Sequence, residues 1–87
     1  MLYTATWVQY VGDVNIANDQ ERKAEIEQWW EEESGAWLGS DEGYETECTR
    51  VSAVDNNHWR VTLVIDDEQL QFLNALTKKA TIRKKQK

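Results

Sequence analysis

The chain has 87 residues, of which 40% are hydrophobic and 30% are charged, so we expect one folded domain rather than two domains or a disordered chain. Its single cysteine, Cys48, excludes a disulfide framework and a cysteine-rich zinc site. The sequence has no long apolar run of the kind that crosses a membrane, and together these features predict a cytoplasmic protein without a membrane partner.

Charge is distributed unevenly along the chain. Residues 1–77 contain all sixteen Asp and Glu against four Lys and Arg, a net charge of −12, whereas residues 78–87 contain the other six basic residues. An acidic body repels a nucleic-acid backbone and attracts a basic protein surface. We therefore expect the partner to be a basic surface of a nucleic-acid-handling protein, and we do not expect direct binding of nucleic acid.

The first predicted element is a β-strand. Residues 2–11 (LYTATWVQYV) are rich in β-branched and aromatic side chains and contain no breaker. Both faces of this strand carry apolar residues, so we expect a central strand that is covered in part on both sides. Gly12 and Asp13 then begin a turn.

A helix follows the turn. Asn18 is a favourable N-cap, and Glu21 stands three residues later, as in a capping box. Gly35 is a typical residue just beyond the end of a helix. The pattern predicts a helix from Asn18 to Ser34, followed by a loop at residues 36–44, which contain two glycines.

Two further strands and a second helix come next. Residues 45–54 alternate in polarity, and residues 58–66 place apolar side chains at every second position, which is typical of a strand packed on a core. Residues 55–57 (DNN) predict the turn between them. Asp66 or Asp67 is the predicted N-cap of the second helix, and Asp66 has capping-box spacing with Gln69 three residues later.

The last segment, ATIRKKQK at residues 80–87, has two interpretations: a basic C-terminal tail, or a short edge strand protected by its lysines. Residues 1–79 then form a single α+β domain of βαββα(β) order. This order resembles the ferredoxin-like arrangement, which implies an antiparallel sheet of strand order 4-1-3-2 with two helices on one face. The resemblance covers the order of elements alone and implies nothing about function.

Two adjacent tryptophans lie within the acidic first helix. Ile26, Trp29 and Trp30 recur at helical spacing and form one apolar stripe. We expect this stripe to pack on the sheet. Neighbouring positions of a helix point about 100° apart, so one indole is expected to stay half-exposed and to anchor a partner.

Carboxylates occupy the C-terminal end of this helix, where the helix dipole is also negative. Glu31, Glu32 and Glu33 stand there without a nearby cation, at a cost of about 0.3–1 kcal/mol each at low salt. The second helix carries Lys78 and Lys79 at the corresponding end. Solubility is one explanation, and a functional surface is the other. The predicted partner-binding residues are Glu25, Glu27, Trp30, Glu31, Glu32, Glu33, Trp37, Asp41 and Glu42.

The sequence offers few groups for catalysis. His58 is the only histidine, and no nucleophile or set of metal ligands stands near it. The chain contains no phosphate-binding loop, dinucleotide fingerprint or nucleophile elbow. The acidic run at residues 66–68 lacks the spacing and the glycine of a calcium loop. We therefore expect a protein that is not an enzyme and has no catalytic residue, metal or cofactor.

These observations favour a small acidic protein-binding module. The most specific hypothesis is an inhibitor of the type that phages encode. Such a protein mimics nucleic acid, occupies the basic surface of a host protein and acts in the host cytoplasm. One alternative is a structural or regulatory homo-oligomer, in its simplest form a homodimer. The other is a nucleic-acid binder that uses the basic tail and the aromatic residues of the sheet.

Overall fold

The computed structural model describes residues 1–85, which form six elements in the order βαββαβ. The elements are β1 (Leu2–Tyr10), α1 (Asp19–Leu38), β2 (Glu47–Ala53), β3 (His58–Asp66), α2 (Asp67–Leu76) and β4 (Thr81–Lys84). The predicted α+β class is confirmed. No helix in this part of the chain combines the length and the apolar character needed to cross a membrane.

The four strands form one sheet of order β2-β3-β1-β4, in which every neighbouring pair is antiparallel. β1 is central, as predicted. Both helices pack on the same face of the sheet. The opposite side of β1 has no covering element among residues 1–85, and its apolar side chains Leu2, Val8 and Tyr10 are exposed. The expectation that β1 would be partly covered on both faces is therefore corrected.

Part of the C-terminal segment is a short edge strand. Residues 81–84 pair with β1, from Thr81 opposite Thr6 to Lys84 opposite Tyr3. The backbone N–H of Lys85 then donates to the carbonyl of Leu2 at 2.9 Å. Of the two interpretations of the segment, the edge strand holds for these residues, and residues 86 and 87 lie outside the described residues.

The core lies between the sheet and the two helices, and Trp30 is its largest fully buried side chain. The Trp30 ring centroid is 5.9 Å from that of Trp7 in β1 and 4.7 Å from that of Phe72 in α2. Its indole N–H donates to Gln69 Oε1 of α2 at 2.7 Å. One side chain of α1 therefore contacts both the sheet and the second helix.

The first helix begins as predicted but ends later. Asn18 Oδ1 accepts from the backbone N–H of Glu21 at 2.9 Å, and the helix then continues through Gly35 to Leu38. It ends at Gly39, whose φ of 71° is in the left-handed region that favours glycine. The predicted end at Ser34 and the predicted loop at residues 36–38 are therefore corrected.

The second helix has the predicted start. Asp66 Oδ1 accepts from the backbone N–H of Gln69 at 3.0 Å. The helix ends at Leu76, so its last turn contains no basic residue, as is also the case for α1. Lys78 and Lys79 lie after the helix and not in its last turn. The predicted difference in charge between the C-terminal ends of the two helices is therefore smaller than expected.

Candidate functional site

An acidic groove runs between the outer side of α1 and the segment that leads into β2. It has a volume of about 470 Å³ and is lined by Ala24, Glu27, Gln28, Glu31, Glu32, Glu45 and Thr46. Four of these side chains are carboxylates and none is cationic. The groove therefore favours a positively charged group over a neutral or negative one.

Helical spacing brings three of the carboxylates together. Glu27 and Glu31 are four residues apart and lie one above the other on the helix surface, with about 5–6 Å between Cβ atoms in such a pair. Glu32 follows Glu31 on the neighbouring row, where Gln28 Nε2 donates to Glu32 Oε1 at 3.1 Å. One face of α1 thus presents a compact group of negative charges.

The segment before β2 forms the second wall of the acidic groove. Glu27 Oε2 accepts from the backbone N–H of Cys48 at 2.9 Å, and the Thr46 hydroxyl donates to the Val64 carbonyl at 2.5 Å. The first bond holds the start of β2 against α1 and the second holds Thr46 against β3, so the intervening chain places Glu45 along the groove. Glu27 therefore has a structural role in addition to its charge.

No basic side chain of residues 1–85 forms an ion pair with the acidic groove. The ion pairs in this part of the chain are Met1 with Asp67, Arg22 with Asp19, and His58 with Asp55. Two like charges at the spacing of Glu27 and Glu31 destabilise a helix by about 0.2–0.5 kcal/mol. Within residues 1–85, this unfavourable pair of like charges therefore has no ion-pair partner.

The structure removes Trp30 from the predicted binding surface. Its exposed fraction is 0%, and its only polar atom is bonded to Gln69 within the core. A contact between Trp30 and a partner would require α1 to leave the sheet. The neighbouring Trp29 is partly exposed, in line with the expectation that one of the two indoles would remain accessible.

The remaining predicted residues lie outside the acidic groove. Glu25 lines an apolar pocket of about 270 Å³ together with Trp29 and Trp59. Glu33 and Trp37 line a separate groove between α1 and α2. Two others, Asp41 and Glu42, are exposed in the loop that follows α1. Of the nine predicted residues, the structure therefore brings together Glu27, Glu31 and Glu32 in one groove.

Glu45 is the carboxylate of the groove that was missing from the predicted set. The alternation of residues 45–54 assigned it to a strand, whereas β2 begins at Glu47. The available signal was the acidic composition of residues 41–47, which follow the helix directly. Composition does not show that this segment folds back along α1, because that path depends on contacts between distant residues.

The groups relevant to metal or nucleophilic chemistry are acidic clusters, Cys48 and His58. Residues 1–85 contain no group of three or more His, Cys, Asp and Glu side chains arranged to hold a metal ion. Burial raises the pKa of the Cys48 thiol, which keeps it in the less nucleophilic neutral form. His58 Nδ1 lies 2.9 Å from Asp55 Oδ1 at the turn between β2 and β3. The absence of enzyme activity stays a prediction.

No protein-family model matches the chain, and no curated protein or solved structure matches it either.

Proposed function

We propose that the chain is a small protein-binding module whose acidic groove binds a basic surface of another protein. The convergence of Glu31, Glu32 and Glu45, none of which forms an ion pair within residues 1–85, is the observation that carries this proposal. A lysine or arginine of the partner supplies the missing positive charge and forms charge-assisted hydrogen bonds with the carboxylates. Binding thereby offsets the repulsion that the free chain retains.

The spacing of the carboxylates suggests the class of partner. Charges about 5–6 Å apart along a helix imitate the repeated negative charge of a nucleic-acid backbone. Proteins that handle nucleic acids carry basic surfaces that bind such backbones. In this proposal the chain occupies the basic surface of a nucleic-acid-handling protein and blocks access of nucleic acid, as an inhibitor of the phage type does.

Three substitutions in the groove test the proposal. The variant Glu31→Gln/Glu32→Gln/Glu45→Gln removes three charges and leaves Glu27, which bonds to the Cys48 backbone, in place. Each immobilised chain is used to capture proteins from a nuclease-treated bacterial lysate, and bound proteins are eluted with increasing salt. We expect a basic protein to elute from the variant at a lower salt concentration than from the native chain. It should bind the variant about tenfold more weakly, since exposed charge pairs contribute about 0.2–1 kcal/mol each.

The matched control removes three exposed charges outside the acidic groove. The variant Asp13→Asn/Glu21→Gln/Glu68→Gln has the same net charge as the groove variant, and all three residues are exposed. It should retain the partner with nearly native affinity. Equal affinity and equal salt dependence for the native chain and the groove variant would disprove the proposal.

A further inference from the structure

The sheet has an open face on the side opposite the helices. Along β1, Ala5 and Trp7 are buried in the core, so the alternating residues Thr4, Thr6 and Val8 lie on the open face. A shallow depression of about 460 Å³ on this face is lined by Thr4, Thr6, Thr49, Arg50, Thr62, Thr81 and Arg83. All seven side chains are hydrogen-bond donors, and none is a carboxylate.

A straight row of these donors crosses all four strands. Arg50 of β2 pairs with Thr62 of β3, Thr62 with Thr6 of β1, and Thr6 with Thr81 of β4. The hydroxyl oxygens of Thr6 and Thr62 are 2.9 Å apart. Since neighbouring strands are about 4.8 Å apart, the row is about 14 Å long.

A β-bulge in β2 places Arg50 in this row. The register shifts between Cys48, which pairs with Leu63, and Arg50, which pairs with Thr62. Without the extra residue, Arg50 would pair with Val61 and point toward the core. Bulges commonly redirect a side chain in this way. Because of this bulge, β2 contributes a guanidinium group to the open face.

Three of the four arginines of this acidic chain lie on the open face. Arg50, Arg60 and Arg83 lie on it, paired with Thr62, Val8 and Thr4, and none of the three forms an ion pair within residues 1–85. The adjoining edge of the sheet carries Lys84. Two strand positions of this face within residues 1–85 carry carboxylates: Glu47 pairs with Val64, and Asp66, which caps α2, pairs with Leu2, so both lie toward one end of the strands.

The acidic groove and the arginines lie on different surfaces of the molecule. The groove lies along α1, and Arg50 and Arg83 line the depression on the open face. A ligand that lies on the open face therefore contacts the arginines directly, although the net charge of the chain is −6.

The open face also has an apolar part. Tyr10 is 64% exposed and Val8 is 46% exposed, and both lie on the same side of β1 as the threonines. Tyr10 lies two residues along β1 from Val8, which pairs with Arg60, and an exposed tyrosine is a surface on which a nucleic-acid base can stack.

We infer that the open face binds single-stranded nucleic acid. Phosphate oxygens accept hydrogen bonds from Arg50, Arg83 and the threonine hydroxyls, and a base stacks on Tyr10. A single phosphate is too small to contact both arginines, since they stand on β2 and β4 at the two edges of the sheet. An acidic peptide would satisfy the arginines but gains nothing specific from the exposed Tyr10.

Fluorescence polarisation with a labelled oligothymidylate of about 15 nucleotides tests the inference. The native chain is compared with Arg50→Gln/Arg83→Gln and with the control Arg22→Gln/Lys23→Gln, which removes two positive charges from the helix side. We expect the open-face variant to bind at least about tenfold more weakly at 50 mM salt and the control to bind within about twofold of native. The slope of log affinity against log salt should become shallower by about 0.7 for each lost phosphate contact.

Two further measurements separate nucleic acid from other polyanions. Tyr10→Ala should weaken binding about fivefold or more without changing the salt slope, because it removes stacking and no charge. Polyglutamate of equal charge should compete poorly. The inference is overturned if the native chain does not bind the oligonucleotide, if both double variants lose affinity equally, or if polyglutamate competes as well as unlabelled oligonucleotide. Circular dichroism establishes that each variant is folded.

Discussion

Gln69 is the side chain that makes the burial of Trp30 possible. The Trp30 indole N–H has no access to water, and Gln69 Oε1 accepts its hydrogen bond at 2.7 Å. Gln69 is itself 6% exposed, so this polar pair lies within the core. A buried donor left without a partner destabilises a fold by about 1–3 kcal/mol.

We therefore predict that Gln69→Leu lowers the free energy of unfolding by about 1–3 kcal/mol, although it adds an apolar side chain to the core. Gln71→Leu makes the same chemical change at an exposed position of α2 and should stay within about 0.5 kcal/mol of native. Urea unfolding followed by tryptophan fluorescence measures both. Equal stability of the two variants would show that the Trp30–Gln69 bond contributes nothing net.

Tyr3 and Asp67 form a second contact between distant parts of the chain. The Tyr3 hydroxyl donates to Asp67 Oδ1 at 2.7 Å, and the N-terminal ammonium lies 3.4 Å from Asp67 Oδ2. The bond from Tyr3, followed by the ammonium group, lowers the pKa of Asp67 below its usual value of 3.8. A carboxylate with a lowered pKa in the folded state stabilises the fold above its unfolded pKa, and this contribution disappears as the pH falls through the folded pKa.

Tyr3→Phe is therefore expected to lower the Tm at pH 7, and the difference from the native chain should shrink as the pH falls below about 3.8. Tyr10→Phe makes the same change on the open face and should show no such pH dependence. Thermal unfolding followed by circular dichroism between pH 2 and pH 7 gives both curves. A Tm difference for Tyr3→Phe that stays constant over this range would contradict the assignment.

At the scale of elements, a close contact between two backbones accompanies the continuation of α1 past Gly35. Gly43 packs directly against the helix: a Cβ at this position would overlap the carbonyl oxygen of Glu31 and lie 2.6 Å from the backbone N of Gly35. The Tyr44 backbone N–H donates to Ser34 Oγ at 2.7 Å. The loop thus covers Gly35, which remains helical instead of ending the helix.

Gly43→Ala should destabilise the fold by about 1–3 kcal/mol or more, because the backbone of α1 cannot move away without leaving the sheet. Gly35→Ala is the informative comparison. Its Cβ would lie 3.3 Å from Gly43 N and Ser40 O, and the gain in helix propensity of about 1 kcal/mol offsets part of this crowding. Chemical denaturation of both variants measures the difference. A larger loss for Gly35→Ala than for Gly43→Ala would contradict the proposed packing.

Elements with strong local patterns could be predicted from the sequence. β3 occupies the predicted range 58–66 because strict alternation marks a strand packed on one face. Both N-caps were predictable, since the side chains of Asn18 and Asp66 accept hydrogen bonds from N–H groups only three residues away. The end of α1 was not, because Gly35 and Gly39 are both suitable residues for the end of a helix, and the loop contact from Gly43 that covers Gly35 joins residues eight positions apart. The predicted group Glu27, Glu31 and Glu32 follows from helical spacing, whereas Glu45 required the path of a loop.

The open face was beyond prediction for a related reason. Arg50, Arg60 and Arg83 belong to three strands, and their common side depends on the register of the whole sheet and on the bulge beside Arg50. In β2 the buried residues Cys48 and Val51 are three positions apart, which breaks the alternation of a regular strand. That irregularity was the only local sign of the bulge.

At the scale of the whole molecule, the carboxylates of the acidic groove and the arginines of the open face lie on different faces, so the net charge does not describe either face. The acidic groove lies beside α1, and the arginines lie on the opposite face of the sheet. Net charge alone predicts a particle that avoids every polyanion. The arrangement of side chains predicts instead that each face interacts with ligands of opposite sign, and the experiments proposed above address the two faces with separate variants.

This separation also gives the molecule a permanent electric dipole directed across the sheet. In the field of a charged surface the chain rotates before it makes contact, so a positively charged surface meets the helices first and a negatively charged surface meets the sheet first. Orientation is then selected during approach, before any side chain has formed a hydrogen bond.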